Sequence, residues 1–177
     1  ENNYELPSMW YLPPDFDENK KYPVIFSVYG GPEHKSVRNT YRITRGKFRE
    51  FWLAQNGIIT IVVDHRGAGH FGRKGMAEMH KNLGKYELND LISAVKWLRT
   101  KKFIDTTKIG ITGGSYGGYV TALALTKGAG WFTHGIAAFS VTDWRLYDNV
   151  YTERYMDTPA ENPEGYSIYD LDGRRIA

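Results

Sequence analysis

Four short runs dominated by apolar residues recur along the chain, and the segments between them follow a different periodicity. The runs cover residues 24–29, 58–63, 108–112 and 135–139. Short apolar runs rich in β-branched or aromatic side chains are typical of strands buried on both faces of a sheet. These runs therefore predict four strands of a mostly parallel sheet.

The segments between the strands predict helices. Leucine, isoleucine and valine recur at helical spacing from Leu88 to Leu98, which predicts an amphipathic helix over 87–101. Residues 48–55 show a shorter helical pattern, and residues 115–126 predict a helix of small side chains. Because strands that alternate with helices form parallel sheets with crossover connections, we expect an α/β fold with helices on both faces of the sheet.

Three further segments are less regular. Residues 4–12 are aromatic-rich and interrupted by Pro7, which predicts an edge strand or a pair of strands. Residues 64–84 are punctuated by glycines and hold three histidines, which predicts a loop. Residues 166–177 show no strong periodicity and predict no regular element.

Composition narrows the class of protein. The chain has 177 residues, of which 41% are hydrophobic, 24% charged and 15% aromatic, as expected for one globular domain rather than a disordered chain. No apolar run reaches the roughly 18 residues of a transmembrane helix. Because cysteine is absent, a disulfide scaffold, a cysteine nucleophile and a thiolate metal site are excluded.

The charge pattern argues against nucleic acid as a partner. The net charge of +3 comes from 23 basic and 20 acidic residues that are scattered rather than aligned in a basic stripe. Glu1 to Tyr4 contain neither a basic start nor an apolar segment, so no signal peptide is visible in this sequence. Nothing in the sequence predicts a metal site or a cofactor.

The strongest chemical signal is the sequence Gly-Gly-Ser-Tyr-Gly-Gly at residues 113–118, between a predicted strand and a predicted helix. This is the G-x-S-x-G context of a nucleophilic serine on a strained strand-to-helix turn. Ser115 would be the nucleophile, and the Tyr116 N–H at the helix N-terminus would meet the developing oxyanion. The alternatives are a flexible loop or a phosphate cradle, although the lysine of a P-loop is missing.

Together with motifs elsewhere, this segment resembles the prolyl oligopeptidase family of serine peptidases. The further motifs are Val-Tyr-Gly-Gly-Pro at 28–32, Asp-His-Arg-Gly-Ala-Gly at 64–69 and the aromatic segment 144–156, which is close to the dipeptidyl peptidase IV branch. The resemblance covers about residues 5–166. It implies an α/β-hydrolase fold and an extracytoplasmic rather than a cytoplasmic location.

The resemblance also implies roles for individual residues. Ser115 matches the acylated nucleophile, and the Tyr29 hydroxyl matches the second oxyanion donor beside the Tyr116 N–H. The pocket for the residue before the scissile bond would be lined by Val141, Trp144, Tyr147 and Tyr151. The last three are spaced i, i+3, i+7, as on one face of a helix, and spacing alone also fits core packing. Asp64 and Arg66 are expected to hold their loop.

An α/β-hydrolase triad follows the chain order Ser, Asp or Glu, His, and this sequence does not complete it. The only histidine after Ser115 is His134, and no acidic residue lies between them. Asp143, Asp148 and Asp157 are expected to be ordinary solvated helix charges. The resemblance places the acid and the base in strands that come later in the domain.

We therefore expect residues 1–177 to be the N-terminal and central part of an α/β-hydrolase domain. The C-terminal part of the domain and the family's β-propeller would be missing, and this polypeptide alone would be nearly inactive. An apolar sheet edge would favour pairing with a second copy or with a complementary chain that carries the missing Asp and His.

Two classes of function follow. The first is a serine exopeptidase of the dipeptidyl peptidase type, which cleaves peptides after proline or alanine through an acyl-enzyme on Ser115. An esterase or an acylaminoacyl peptidase on the same fold is a variant of it. The second is a non-catalytic, hydrolase-like binding module or a truncated product, which the incomplete triad favours.

Overall fold

A computed structural model of the chain describes residues 3–40 and 48–168, and one five-stranded sheet organises this part. The strands are β1 (Ser8–Tyr11), β2 (Tyr22–Ser27), β3 (Ile59–Val63), β4 (Ile104–Gly114) and β5 (His134–Ala138). Their order across the sheet is β1-β3-β2-β4-β5. Because β1 alone runs antiparallel to its neighbour, the predicted mostly parallel sheet is confirmed for the described residues.

Helices connect and flank these strands. Those of the described ranges are α1 (Phe48–Gln55), α2 (Gly72–Met79), α3 (Lys85–Leu98), α4 (Tyr116–Thr126), α5 (Asn149–Met156) and α6 (Pro163–Ile168). Short 3-10 turns cover Arg66–Ala68 and Trp144–Leu146. α3 ends earlier than predicted, because the Lys101 N–H turns back to the Leu98 carbonyl at 2.9 Å.

The connections between parallel strands determine where a site forms. β2 continues through α1 to β3 on one side, whereas β4 continues through α4 to β5 on the other. Because such crossovers are right-handed, α1 lies on one face of the sheet and α3 and α4 lie on the other. The winding direction reverses between the neighbours β2 and β4. Ligand crevices form at such switch points, outside the carboxyl ends of the strands.

The main core covers one face of the sheet. Two rows of aligned side chains on β3, β2 and β4 supply the sheet side: Ile59, Val24 and Ile109, and then Ile61, Phe26 and Ile111. All six are almost completely buried, as are Leu91 and Val95 of α3 and Leu123 of α4. This core fixes the direction in which β2 and β4 deliver the chain to the switch point.

The predicted loop over 64–84 is wrong in part, because the segment contains a 3-10 turn and α2. Gly75 lies inside α2, where a Cβ atom would lie 2.1 Å from the Arg66 carbonyl oxygen. Glycine is needed there for the close approach of two backbone segments, not for a loop conformation. The repeated glycines of this segment therefore reflect packing as well as turns.

β5 forms one end of the sheet and leaves apolar side chains in solvent. Ile136 is 67% exposed and Phe139, just beyond the strand, is 92% exposed. The apolar edge expected from the sequence is therefore present. In the ranges 3–40 and 48–168, no helix combines the length and the apolar character needed to cross a membrane.

Candidate active site

Ser115 occupies the junction between β4 and α4 in a strained backbone conformation. Its φ of +58° and ψ of −121° lie in a region that residues other than glycine rarely adopt. The Ser115 N–H donates to the Ala138 carbonyl at 2.9 Å, and its own carbonyl accepts from the Tyr119 N–H at 3.1 Å. These bonds hold the turn on both sides while Ser115 stays exposed to solvent.

The glycines around Ser115 let three backbone segments meet. A Cβ atom on Gly113 would lie 2.4 Å from the Val28 carbonyl oxygen, and one on Gly117 would lie 2.3 Å from the same atom. On Gly118 it would lie 2.4 Å from the Ala138 carbonyl oxygen. Any side chain at these positions would push α4 away from the ends of β2 and β5.

A matched pair of substitutions tests this packing. We expect Gly117→Ala to lower the free energy of unfolding by about 1–3 kcal/mol, because the added methyl overlaps a backbone oxygen that has no room to move. Gly114→Ala should leave it nearly unchanged, because the nearest atom to its Cβ lies 3.8 Å away. Urea unfolding followed by circular dichroism measures both. Equal midpoints for the two variants would contradict this account of the turn.

Tyr29 emerges beside Ser115 because their strands are neighbours. The Val28 N–H donates to the Thr112 carbonyl at 2.9 Å and extends the pairing of β2 with β4 by one residue. The Tyr29 ring lies 6.3 Å from the ring of Tyr116, the residue that follows the serine. Tyr29 is 37% exposed, so part of this residue faces solvent at this edge.

The loop after Tyr29 is shaped around its ring. Gly30 has a φ of +75°, and a Cβ atom on Gly31 would lie 2.6 Å from the Tyr29 ring. The His34 ring packs against the Tyr29 ring, since the two ring centroids lie 4.4 Å apart. Sequence reasoning did not single out His34, because contact across a five-residue loop leaves no periodic signal.

Three aromatic side chains cluster beside the serine, but the prediction that they share one helix face is wrong. Trp144 lies in a 3-10 turn, the backbone of Tyr147 is extended, and Tyr151 lies in α5. The break arises because the Asp148 carboxylate accepts the Tyr151 N–H at 2.9 Å and starts α5 at Asn149. The three ring centroids nevertheless lie within 5.7–6.1 Å of one another.

This aromatic cluster continues to the serine turn. The Trp144 ring lies 5.5 Å from the Tyr116 ring, and Trp144 is only 3% exposed. Val141 is half-buried and packs against the same core. Burial raises the pKa of Tyr151, and the neighbouring Tyr29 adds to this effect. The cluster thus forms a mostly apolar wall with neutral phenols.

The acidic residues of this region have local structural partners. Asp143 accepts the Arg145 N–H at 2.9 Å and forms an ion pair with its guanidinium at 2.7 Å. Asp157 pairs with His80 at 2.8 Å and with Lys81 at 2.9 Å. With Asp148 at the start of α5, all three act as caps or ion-pair partners rather than as plain solvated charges.

His134 lies at the wrong end of the sheet to assist Ser115. It is the first residue of β5 and pairs with Gly110, whereas Ala138 at the other end of the strand bonds to Ser115. Four residues of strand separate the two positions, which is about 13 Å. His134 therefore cannot act as the base for this serine.

The loop that follows β3 is held by buried ion pairs. Arg66 is 0% exposed and donates to the Asp90 carboxylate, with a shortest N–O distance of 2.6 Å, and to Glu78 at 2.7 Å. The Asp64 carboxylate accepts the N–H groups of Ser36 and Val37. These contacts fit the structural roles expected of Asp64 and Arg66.

Glu87 is a site residue that the sequence interpretation missed. It is 1% exposed, and its Oε1 accepts the Gly84 N–H at 3.0 Å and the Tyr116 hydroxyl. Burial raises its pKa to about 7, although the hydrogen bonds from Tyr116 and Gly84 oppose that shift. The available signal was its spacing of four from Leu91, which places a carboxylate on the buried face of α3.

One family model matches most of the chain. The model of the prolyl oligopeptidase family aligns with residues 45–173. A probable dipeptidyl-aminopeptidase B from Neurospora crassa is 48% identical over 155 residues, which are 87% of this chain and 16% of the relative.

Two solved structures are similar over nearly all of the chain. A dipeptidyl peptidase 4 from Porphyromonas gingivalis superposes with a TM-score of 0.89 at 39% identity, covering 95% of this chain and 23% of that one. A putative dipeptidyl aminopeptidase IV from Bacteroides ovatus gives a TM-score of 0.90 at 35% identity, and the match covers 96% of this chain and 24% of that one. The chain thus spans between a sixth and a quarter of the length of these relatives.

Proposed function

Because the chain belongs to the prolyl oligopeptidase family, whose members act on peptides, we propose that it carries the nucleophile of a serine dipeptidyl peptidase. The observation that carries the proposal is the strained turn of Ser115 at the switch point between β2 and β4. An exposed hydroxyl at a helix N-terminus, beside a phenol from the next strand, suits acyl transfer. The dipeptidyl peptidases and aminopeptidases among its relatives support the dipeptidyl class.

In the proposed reaction, the Ser115 Oγ attacks the carbonyl carbon of the residue before the scissile bond. A histidine base takes the hydroxyl proton, and the negative charge that develops on the carbonyl oxygen is met by the Tyr116 N–H and the Tyr29 hydroxyl. The C–N bond then breaks, and the base returns the proton to the leaving amine. A water molecule then attacks the acyl carbon while the base takes a proton from it, the bond between the acyl group and the Ser115 Oγ breaks, and the base returns the proton to that oxygen.

The wall of Trp144, Tyr147 and Tyr151 supports a specificity for proline or alanine before the scissile bond. Flat aromatic surfaces can bury a pyrrolidine ring, and this ring has no N–H group that would need a hydrogen-bond acceptor in the pocket. Val141 completes this proposed pocket. The half-buried packing of Val141 and the nearly complete burial of Trp144 support a preformed rather than an adaptable wall.

The base and the acid are proposed to come from outside these 177 residues. Among the described residues, the serine hydroxyl forms no hydrogen bond with a histidine, and His134 lies about 13 Å from the turn. A later segment of the same protein would supply both groups by adding strands to the exposed edge of β5. A second copy or a complementary chain is the alternative source.

Covalent labelling and a substrate panel test the proposal. The longest product of the reading frame that encodes this sequence should react with a fluorophosphonate at Ser115, and peptide mass spectrometry locates the adduct. The same product should cleave dipeptide anilides that have a free N-terminus and proline as the second residue. The 177-residue chain alone should label at least 10²-fold more slowly, because the base is missing. The heat-denatured longer product serves as the control for nonspecific labelling.

Each outcome separates the alternatives. A preference for N-acylated amino-acid anilides or for simple esters would replace the dipeptidyl assignment with an acylaminoacyl peptidase or an esterase. An adduct on a residue other than Ser115 would overturn the proposed nucleophile. Equal labelling of the 177-residue chain and the longer product would show that the base lies within these residues.

A further inference from the structure

A buried hydrogen bond connects α3 with the first turn of α4, directly behind Ser115. Glu87 lies in the first turn of α3, and its Oε1 accepts the hydroxyl proton of Tyr116. Tyr116 is 2% exposed and is the first residue of α4. A side chain on one helix therefore holds the residue whose N–H faces the proposed oxyanion.

The Tyr116 ring is the centre of the aromatic contacts around the turn. Its centroid lies 6.3 Å from the Tyr29 ring, 5.5 Å from Trp144 and 5.7 Å from Tyr119. A shift of this ring would move the first turn of α4 and with it the Tyr116 N–H. It would also disturb the ring of Tyr29, which carries the second proposed donor.

Capping of α3 does not by itself account for a carboxylate at this place. The bond from the Gly84 N–H to Glu87 is one half of a capping box, since Gly84 has no side chain to form the other half, and a glutamate can accept it while its second oxygen stays in water. Here the second oxygen, Oε2, is buried and has no hydrogen-bond partner among the described residues. A buried carboxyl is costly unless its contacts repay that cost.

The protonation states favour a stable link. Burial and the neighbouring Glu87 raise the pKa of Tyr116 well above its usual value, so the hydroxyl keeps its proton and donates it. The raised pKa of Glu87 lets its carboxyl carry a proton at neutral pH and limits negative charge behind the oxyanion. The nearby Asp90 carboxylate, which is held by Arg66, also raises the pKa of Glu87.

A second contact already ties α4 to the loop before α3. The Tyr119 hydroxyl donates to the Leu83 carbonyl at 3.1 Å, one turn further along α4. The general attachment of the helix is therefore provided by Tyr119, whereas the bond to Glu87 acts on the turn that carries the serine. This difference offers a control of the same chemical type.

We propose that Glu87 is a positioning residue, which fixes the Tyr116 N–H in the oxyanion site by accepting the Tyr116 hydroxyl. The proposal rests on the peptidase function inferred above. It predicts an effect on the chemical step rather than on substrate binding, because an oxyanion donor acts most strongly in the transition state.

Four variants of the longest product test the proposal with a proline anilide. We expect Glu87→Leu and Tyr116→Phe each to lower kcat about tenfold with less than a threefold change in KM, since a slightly displaced donor weakens but does not remove oxyanion stabilisation. Their double variant should be no worse than either single variant, because both break the same bond. Glu87→Gln should restore kcat, because its amide oxygen accepts both bonds.

Tyr119→Phe is the matched control, because it removes a buried tyrosine hydroxyl from the same helix but keeps the ring that packs against Tyr116 and the bond from Tyr116 to Glu87. Its kcat should stay within twofold of the parent even where its melting temperature falls as far as that of Tyr116→Phe. Equal kcat losses for the two tyrosine variants, or additive losses in the double variant, would overturn the positioning role. Full activity of Ser115→Ala would instead refute the function on which the proposal rests.

Discussion

Replacing Ser115 with alanine is expected to lower kcat/KM for a proline anilide by about 10⁵–10⁶-fold in the longest product. The loss is this large because alanine has no oxygen with which to form the acyl-enzyme, and the oxyanion donors alone give little rate. The fold should persist, since the backbone bonds of the turn involve the Ser115 N–H and carbonyl rather than its hydroxyl. Steady-state kinetics and thermal unfolding measure the two effects separately.

Ser93→Ala is a matched control for this substitution. Ser93 lies in α3, and its Oγ donates to the Asn89 carbonyl at 2.9 Å, so the change removes a hydroxyl remote from the turn. Its kcat/KM should equal that of the parent. A Ser115→Ala variant that keeps more than a tenth of the parent activity, with no contaminating hydrolase detected by active-site titration, would assign the chemistry to another residue.

Replacing Arg66 with leucine is expected to lower the free energy of unfolding by about 3–5 kcal/mol. The guanidinium is fully buried between Asp90 and Glu78, and Asp90 itself is 3% exposed. Removing the cation leaves the Asp90 carboxylate buried without its partner, which costs more than the ion pair contributes when intact. Chemical denaturation at neutral pH measures this loss.

The effect of Arg66→Leu should also reach the site. The Gly67 carbonyl accepts the Glu33 N–H at 2.9 Å, so the loop of Arg66 supports the loop that follows Tyr29. The matched control is Arg145→Leu, which breaks an exposed pair with Asp143 of the same bidentate type and should cost less than about 1 kcal/mol. Similar losses for the two variants would show that burial does not set the strength of the Arg66 network.

Several elements could be predicted from local sequence patterns. The apolar runs located β2, β3, β4 and β5, and the leucine spacing located α3, because burial of a sheet or a helix face leaves a repeating signal in the chain. The motif at 113–118 predicted a tight strand-to-helix bend, and Ser115 adopts one with positive φ. The glycines of this motif were informative because backbone atoms pack so closely in the turn that no Cβ atom fits at Gly113, Gly117 or Gly118.

Other features had no local signal. Trp144, Tyr147 and Tyr151 suggested one helix face, yet an aspartate cap breaks the helix and the rings meet through tertiary packing. Gly75 suggested a loop, although it lies in a helix that presses against Arg66. Asp148 interrupts the helical spacing from within the segment, whereas the neighbour that requires a glycine at position 75 is the Arg66 carbonyl, from the turn before α2.

The sequence by itself determined the alternation of strands and helices, the family, and the strained serine turn, since each depends on residues close together in the chain. Only the tertiary structure packed His34 against Tyr29, carried Glu87 beneath Tyr116, and put His134 at the far end of the sheet. The physical reason is that strand order and helix packing bring together residues separated by tens of positions, and such contacts leave no period in the sequence.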